Sequence, residues 1–274
     1  MTNNTTTPAL EVRGLKKHFG GVYAVDGCSF VAPHGQVTGL IGPNGAGKST
    51  AIDLISGFKL PDAGTVTFKS REIQGLPPHR ISRLGLIRTF QTPREWPGLT
   101  VLENVVMARW DAGRESFFRG VVGFGRSQRE SSQTELGRGR EILEEMGLAA
   151  LRNERAGNLS GGQRNMLGMA RALMLEPKVV LLDEPTAGLS PAYTEIVWDQ
   201  IRRVAGLGTA VVVVEQNVDL AINHADWVYV LVAGRNRLDA PADVVGKQDL
   251  PSIFLGGEVP DNLAPASDRK IREG

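Results

Sequence analysis

Gly42-Pro43-Asn44-Gly45-Ala46-Gly47-Lys48-Ser49-Thr50 fits G-x-x-x-x-G-K-[ST], the pattern of a phosphate-binding loop. Each residue type has a physical task. Gly42, Gly45 and Gly47 carry no Cβ, so the backbone turns tightly and approaches a ligand closely. Successive N–H groups then form a nest for phosphate oxygens. Lys48 adds a cation able to reach the β- and γ-phosphates, and the Ser49 hydroxyl suits Mg²⁺. The preceding Gln36–Ile41 reads as a short buried strand, and 48–58 as a helix with its positive end toward the same anion. Strand, loop and helix in that order are the context the pattern requires.

The rest of the chain bounds the class. It has 274 residues, 41% hydrophobic and 22% charged, which describes a globular protein with a substantial core. A net charge of +1 offers no bulk field for nucleic acid, and none is expected as a partner. Cys28 stands alone, so no intrachain disulfide forms and a reducing compartment suits the chain. No apolar run approaches the ~20 residues that cross a bilayer. The polar start, expected to be disordered over 1–8, has no signal-peptide pattern. A cytoplasmic location follows as an expectation, with membrane association only through a partner.

Leu10–Phe19 and Val22–Val31 alternate as antiparallel strands around Gly20-Gly21. Thr100 with Glu103 reads as a capping box that opens a helical region over about 97–177. Within it, 113–140 is rich in Gly, Arg and Ser and reads as a loop or broken-helix insertion, either a partner-docking arm or a mobile surface loop. Val179–Leu182 and Thr209–Glu215 are continuous β-type runs, as for strands covered on both faces. With helices at 191–206 and 217–224 and a strand at Trp227–Val232, these predict a mainly parallel sheet with ligands at the strands' carboxyl ends. Residues 257–274 read as a loose tail.

Two further stretches carry chemistry. Asp183-Glu184 follows a buried strand: Asp183 suits Mg²⁺ held through water, and Glu184 suits polarising an attacking water. Leu159-Ser160-Gly161-Gly162-Gln163 precedes a helical run, with Ser160 at the N-cap and two glycines exposing N–H groups. That is a second anion site, distant in sequence from the first. The four histidines show no metal-site spacing.

Together these stretches resemble the nucleotide-binding subunit of an ABC transporter, over about residues 10–256. The resemblance implies a P-loop NTPase core with a mainly parallel sheet, an N-terminal antiparallel β subdomain and an α-helical signature subdomain, the ATPase domain spanning 9–256. It implies that Gly42–Thr50 holds ATP, that Ser160, Gly161, Gly162 and Gln163 bind the ATP of a second subunit in trans, and that Phe19 stacks on adenine. Gln91, after Thr89-Phe90, matches the residue that senses Mg²⁺, alongside Ser49 and Asp183 as metal groups. Glu184 is the implied base, with Lys48 and Gln216 as the other catalytic residues. Ala187-Gly188-Leu189-Ser190 matches a loop that crosses the dimer interface. The family usually has histidine where Gln216 stands; glutamine donates a hydrogen bond but cannot be a cation or relay a proton.

Arg88–Gln91, Leu99–Val105 and Glu184–Leu189 further resemble branched-chain amino acid importers. Val214–Asn217 is similar to one of their two cassette types, and the 110–140 insertion to the other. The implied partners are a second cassette (a copy or a sister), integral-membrane permease subunits and an extracytoplasmic solute-binding protein, on the cytoplasmic face of the membrane. Similar cassettes serve amides, urea or lipopolysaccharide. Soluble relatives in DNA repair or translation carry long coiled coils or two cassettes, and this chain shows neither.

Overall fold

The computed structural model describes residues 7–89, 95–111 and 126–265. Two compact units make up the chain: Met1–Leu86 with Lys178–Pro185 and Ile201–Gly274, and Ile87–Pro177 with Thr186–Gln200. The helical stretch expected over 97–177 lies inside the second unit, which also takes in 186–200.

In the first unit, β1 (Leu10–Phe19) and β2 (Val22–Ala32) form the expected hairpin. With β4 (Ala63–Phe68) and β5 (Arg71–Glu72) they make a four-stranded antiparallel sheet in the order β2-β1-β4-β5. Its inner face buries Leu10, Val12, Val25, Phe30, Val66 and Phe68. Alternation along these strands separates that face from the polar one.

The second sheet runs β10 (Arg235–Pro241), β9 (Trp227–Val232), β3 (Val37–Ile41), β8 (Ala210–Glu215), β7 (Val179–Asp183), with β6 (Leu86–Thr89) last in the order. β9, β3, β8 and β7 are mutually parallel, and β10 is antiparallel to β9. Every residue of β3, β7 and β8 is buried, the reason these strands read as unbroken apolar runs. The phosphate-loop helix α1 is shorter than expected, Lys48–Ile55. Ser56 Oγ bonds to the Ile52 carbonyl at 2.5 Å and Gly57 turns left-handed, which ends the helix.

After α2 (Pro78–Leu84), the second unit carries α3 (Val101–Asp111), α4 (Arg126–Glu145), α5 (Gly161–Leu173) and α6 (Pro191–Gly206, which continues into the first unit). The Thr100–Glu103 capping box forms: Glu103 N–H donates to Thr100 Oγ1 at 3.2 Å and Thr100 N–H to Glu103 Oε2 at 2.7 Å. That backbone bond, with the hydroxyl's, draws the Glu103 carboxyl below its usual range. The expected broken insertion is corrected from Arg126 onward, where the chain is one continuous helix. A Cβ on Gly139 would lie 3.1 Å from both Leu102 Cδ1 and Val106 Cγ2, so glycine there admits close packing of α4 on α3. Residues 112–125 of that insertion lie outside the described residues, as do 1–6 and 266–274 of the expected disordered ends.

The segment from 257 is not loose throughout. Residues Asp261–Leu263 form a 3₁₀ turn after Pro260. Leu263 is buried in a core with Ile41, Val228, Leu238, Leu250 and Ile253, contributed in part by α9 (Leu250–Phe254), which follows α7 (Val218–His224) and α8 (Ala242–Val245). Val259, partly buried against the same core, joins Leu263 in pinning this part of the segment.

Candidate active site

The parallel register aligns three strand ends. Ile41 of β3 pairs with Glu215 of β8, and Val214 of β8 pairs with Asp183 of β7. Gly42 and Gln216 therefore leave the sheet at one level and Glu184 one residue earlier, with β8 as the spacer between phosphate loop and carboxylates. This is the edge at which parallel sheets collect ligands.

Two loop glycines are dictated by close approach. A Cβ on Gly42 would fall 2.0 Å from the Leu231 carbonyl oxygen, and one on Gly47 2.1 Å from that of Ala24. Gly45 meets nothing within 4 Å, so its side of the loop is open. Lys48 is buried, and its ammonium donates to the Gly42 and Pro43 carbonyls at 2.7 and 3.0 Å. Burial pulls its pKa below the ordinary lysine value; Glu184, Asp183 and Glu215 oppose that pull. Ser49 Oγ donates to Asp183 Oδ1 at 3.3 Å.

Glu184 stands in the left-handed region at φ 49°, a conformation that costs a non-glycine residue about 1–3 kcal/mol and concentrates at functional sites. Its N–H donates to the Val214 carbonyl at 2.9 Å, which extends the β7–β8 pairing by one residue. Its Oε1 accepts from Gln216 Nε2. Gln216, expected as a catalytic residue where the family usually has histidine, is thus the hydrogen-bond partner of Glu184. Spacing alone gives no sign of that pairing.

Phe19 is 47% exposed at the end of β1, with the ammoniums of Lys17 and Lys59 each 5.7 Å from its ring centroid. An exposed aromatic face suits a stacked base. Asp62 anchors the strand end: its carboxylate accepts from Lys17 Nζ and the His18 N–H, both at 2.8 Å. The Lys17 bond, then that of the His18 backbone, lowers the Asp62 pKa to about 2.

In the second unit, Ser160 caps α5 and Gln163 completes a capping box. Gln163 N–H donates to Ser160 Oγ at 3.3 Å, and Ser160 N–H donates to Gln163 Oε1 at 2.9 Å. The cap is worth about 1 kcal/mol. The two glycines differ in purpose. A Cβ on Gly161 would meet nothing within 4 Å, whereas one on Gly162 would lie 2.5 Å from the Tyr193 ring of α6. Gly161 leaves the helix's N-terminal amides open to an anion; Gly162 admits the tyrosine. Sequence reading missed Tyr193, which follows the 187–190 loop by three residues. The expected metal-sensing Gln91 lies outside the described residues.

Oxygen donors at Ser49 and Asp183 suit a small hard cation such as Mg²⁺, which takes one or two carboxylates and completes its shell with water and phosphate. Among the described residues no group of three or more His, Cys, Asp or Glu could hold a metal ion.

A buried strand, a phosphate nest, a lysine and an adjoining acidic pair on neighbouring parallel strands define a P-loop nucleoside-triphosphatase. The ABC transporter family profile matches residues 25–187. The chain is 35% identical to the high-affinity branched-chain amino acid transport ATP-binding protein BraF of Pseudomonas aeruginosa, over 91% of this chain and 98% of that one. It is 33% identical to the high-affinity branched-chain amino acid transport ATP-binding protein LivG of Escherichia coli K12, with the same coverage. Among solved structures, it is similar to the ADP conformation of MJ1267, an ATP-binding cassette of an ABC transporter, with a TM-score of 0.77 and 31% identity over 92% of this chain and 100% of that one. A nucleotide-free cassette from an ABC transporter gives 0.75 and 30%, over 89% and 96%. The chain belongs to the ABC transporter family as an ATP-binding cassette, and it is an ATPase. No helix among the described residues is long and apolar enough to cross a membrane.

Proposed function

We propose that this chain energises import of branched-chain amino acids or similar small solutes, paired with a second cassette beneath integral-membrane permease subunits, on the cytoplasmic face. A solute-binding protein outside the membrane delivers the cargo. The observation that supports the pairing most is the presence of two anion-binding ends, the phosphate loop in one unit and the Ser160–Gln163 helix end in the other. One triphosphate needs one nest. Two nests per chain suit a head-to-tail pair in which each ATP lies between one chain's loop and its partner's signature helix.

In this reading Gly42–Thr50 cradles the phosphates, Lys48 meets the β- and γ-phosphates, and Phe19 stacks on adenine. Mg²⁺, held by Ser49 and Asp183 and sensed, as the family resemblance implies, by Gln91, would neutralise developing charge on the phosphates. Glu184 takes a proton from water as the water oxygen bonds to the γ-phosphorus and the bond to the β-phosphate oxygen breaks; ADP and inorganic phosphate leave. Gln216 fixes the rotamer of Glu184, a role glutamine fills without being a cation. Residues 187–190 cross to the partner.

The test is ATP turnover by the chain assembled with its permease subunits in liposomes. Leucine-loaded binding protein should raise turnover several-fold and drive leucine uptake. Turnover indifferent to the permease would contradict the transport role; stimulation only by an amide or urea would move the cargo.

A further inference from the structure

β9 and β10 are joined by two residues, Ala233 and Gly234, both at positive φ, 48° and 80°. That is the type I′ geometry matching the twist of a hairpin. The turn does more than reverse the chain. Gly234 N–H donates to the Ala46 carbonyl of the phosphate loop at 3.0 Å, and the Gly234 carbonyl accepts the Asp26 N–H of β2 at 2.8 Å. One residue therefore bridges β2 and the loop through its own two backbone groups. No side chain fits there: a Cβ on Gly234 would lie 2.9 Å from Asp26 N, 3.0 Å from Val25 Cα and 3.1 Å from the Ala24 carbonyl oxygen.

An ionic brace holds the turn in place. Arg235 Nε and Nη2 donate to Asp26 Oδ2 at 2.8 and 2.5 Å, and Lys16 Nζ lies 3.1 Å from Asp26 Oδ1. The guanidinium, then the ammonium, holds the Asp26 carboxyl below its usual range.

The consequence follows from the planarity of the peptide. In a trans peptide the C=O and N–H point in opposite directions. The Ala46 carbonyl and the Gly47 N–H belong to one peptide, so a carbonyl fixed on Gly234 aims the Gly47 N–H away from the turn. Gly47 is the N-cap residue of α1, where free amides face an anion.

We propose that Gly234 is a positioning residue for nucleotide binding: it locks the Ala46–Gly47 peptide so that the Gly47 N–H is presented to the phosphates before the nucleotide arrives. Asp26 and Arg235 hold Gly234 in register. This rests on the assignment of Gly42–Thr50 as the phosphate site.

The test titrates the full chain with Mg²⁺ and mant-ATP, a fluorescent ATP analogue, and follows apo thermal melting alongside. Gly234→Ala should raise the Kd about tenfold, the loss of one well-placed hydrogen bond to a charged group. The KM for ATP should rise more than kcat falls. Arg235→Ala, which loosens the brace but leaves the turn, should raise the Kd about threefold. Lys48→Ala separates the two levels. If it abolishes binding while folded Gly234→Ala binds within twofold of wild type, the positioning role is overturned and the phosphate-site assignment stands. If Lys48→Ala binds as wild type does, that assignment fails and takes the positioning role with it. Should Gly234→Ala not fold, Arg235→Ala decides: unchanged affinity overturns the inference.

Discussion

Glu184→Gln is expected to lower ATP hydrolysis at least about a hundredfold, the scale of a positioned general base, and to accumulate an ATP-bound pair of cassettes. The substitution keeps the side chain's shape and removes its ability to take a proton. The backbone at φ 49° disfavours the unbranched side chains of glutamate and glutamine alike, so glutamine adds little further strain. Gln216 loses a carboxylate acceptor but keeps an amide one. Binding is untouched because the phosphate nest, Lys48 and Ser49 remain, so ATP is held and not consumed. Phosphate release at saturating ATP and light scattering with Mg²⁺ and ATP read the two effects. Hydrolysis at the wild-type rate would remove Glu184 as the base.

Ser160→Arg is expected to cost about a hundredfold or more in turnover, the effect of losing preorganised donors at a transferring group, while the chain's own affinity for mant-ATP stays within twofold. The substitution removes the Ser160 half of the capping box and fills the helix end that Gly161 leaves open with a long side chain. The separation of effects is the informative part. If the signature served the chain's own nucleotide, affinity and turnover would fall together. If it serves a partner's, nucleotide still binds the phosphate loop and waits. Titration and turnover on one preparation check it, and parallel loss of both would contradict action in trans.

The parts of the site built from contiguous backbone were legible in the sequence. A glycine-rich turn before a helix and a capping box are runs of neighbouring residues, so the Gly42–Gly47 loop and the Ser160–Gln163 cap, both of which form, are written in local sequence. Strands buried on both faces, such as β8, read as unbroken apolar runs because no residue of theirs meets water. What stayed hidden depends on residues far apart in the chain. Gln216 meets Glu184 because β8 and β7 are in register, and no local pattern records a register. β10 alternates under polar residues, Arg235-Asn236-Arg237 among them, so no apolar run marks it as a strand. The glycines and serines of α4 suggested a break, yet Gly139 serves packing against Leu102 and Val106. Gly234 reads as an ordinary turn glycine until its amide is seen on Ala46.

In the proposed function one copy holds half a catalytic pocket and a second cassette supplies the rest. The direct measurement is ATP turnover per chain across a dilution series, with the fraction of pairs followed by light scattering. Turnover per chain that falls with the fraction of pairs, and vanishes in a strictly monomeric sample, is the expected result. A monomeric sample that hydrolyses ATP at the full rate, independent of concentration, would contradict it.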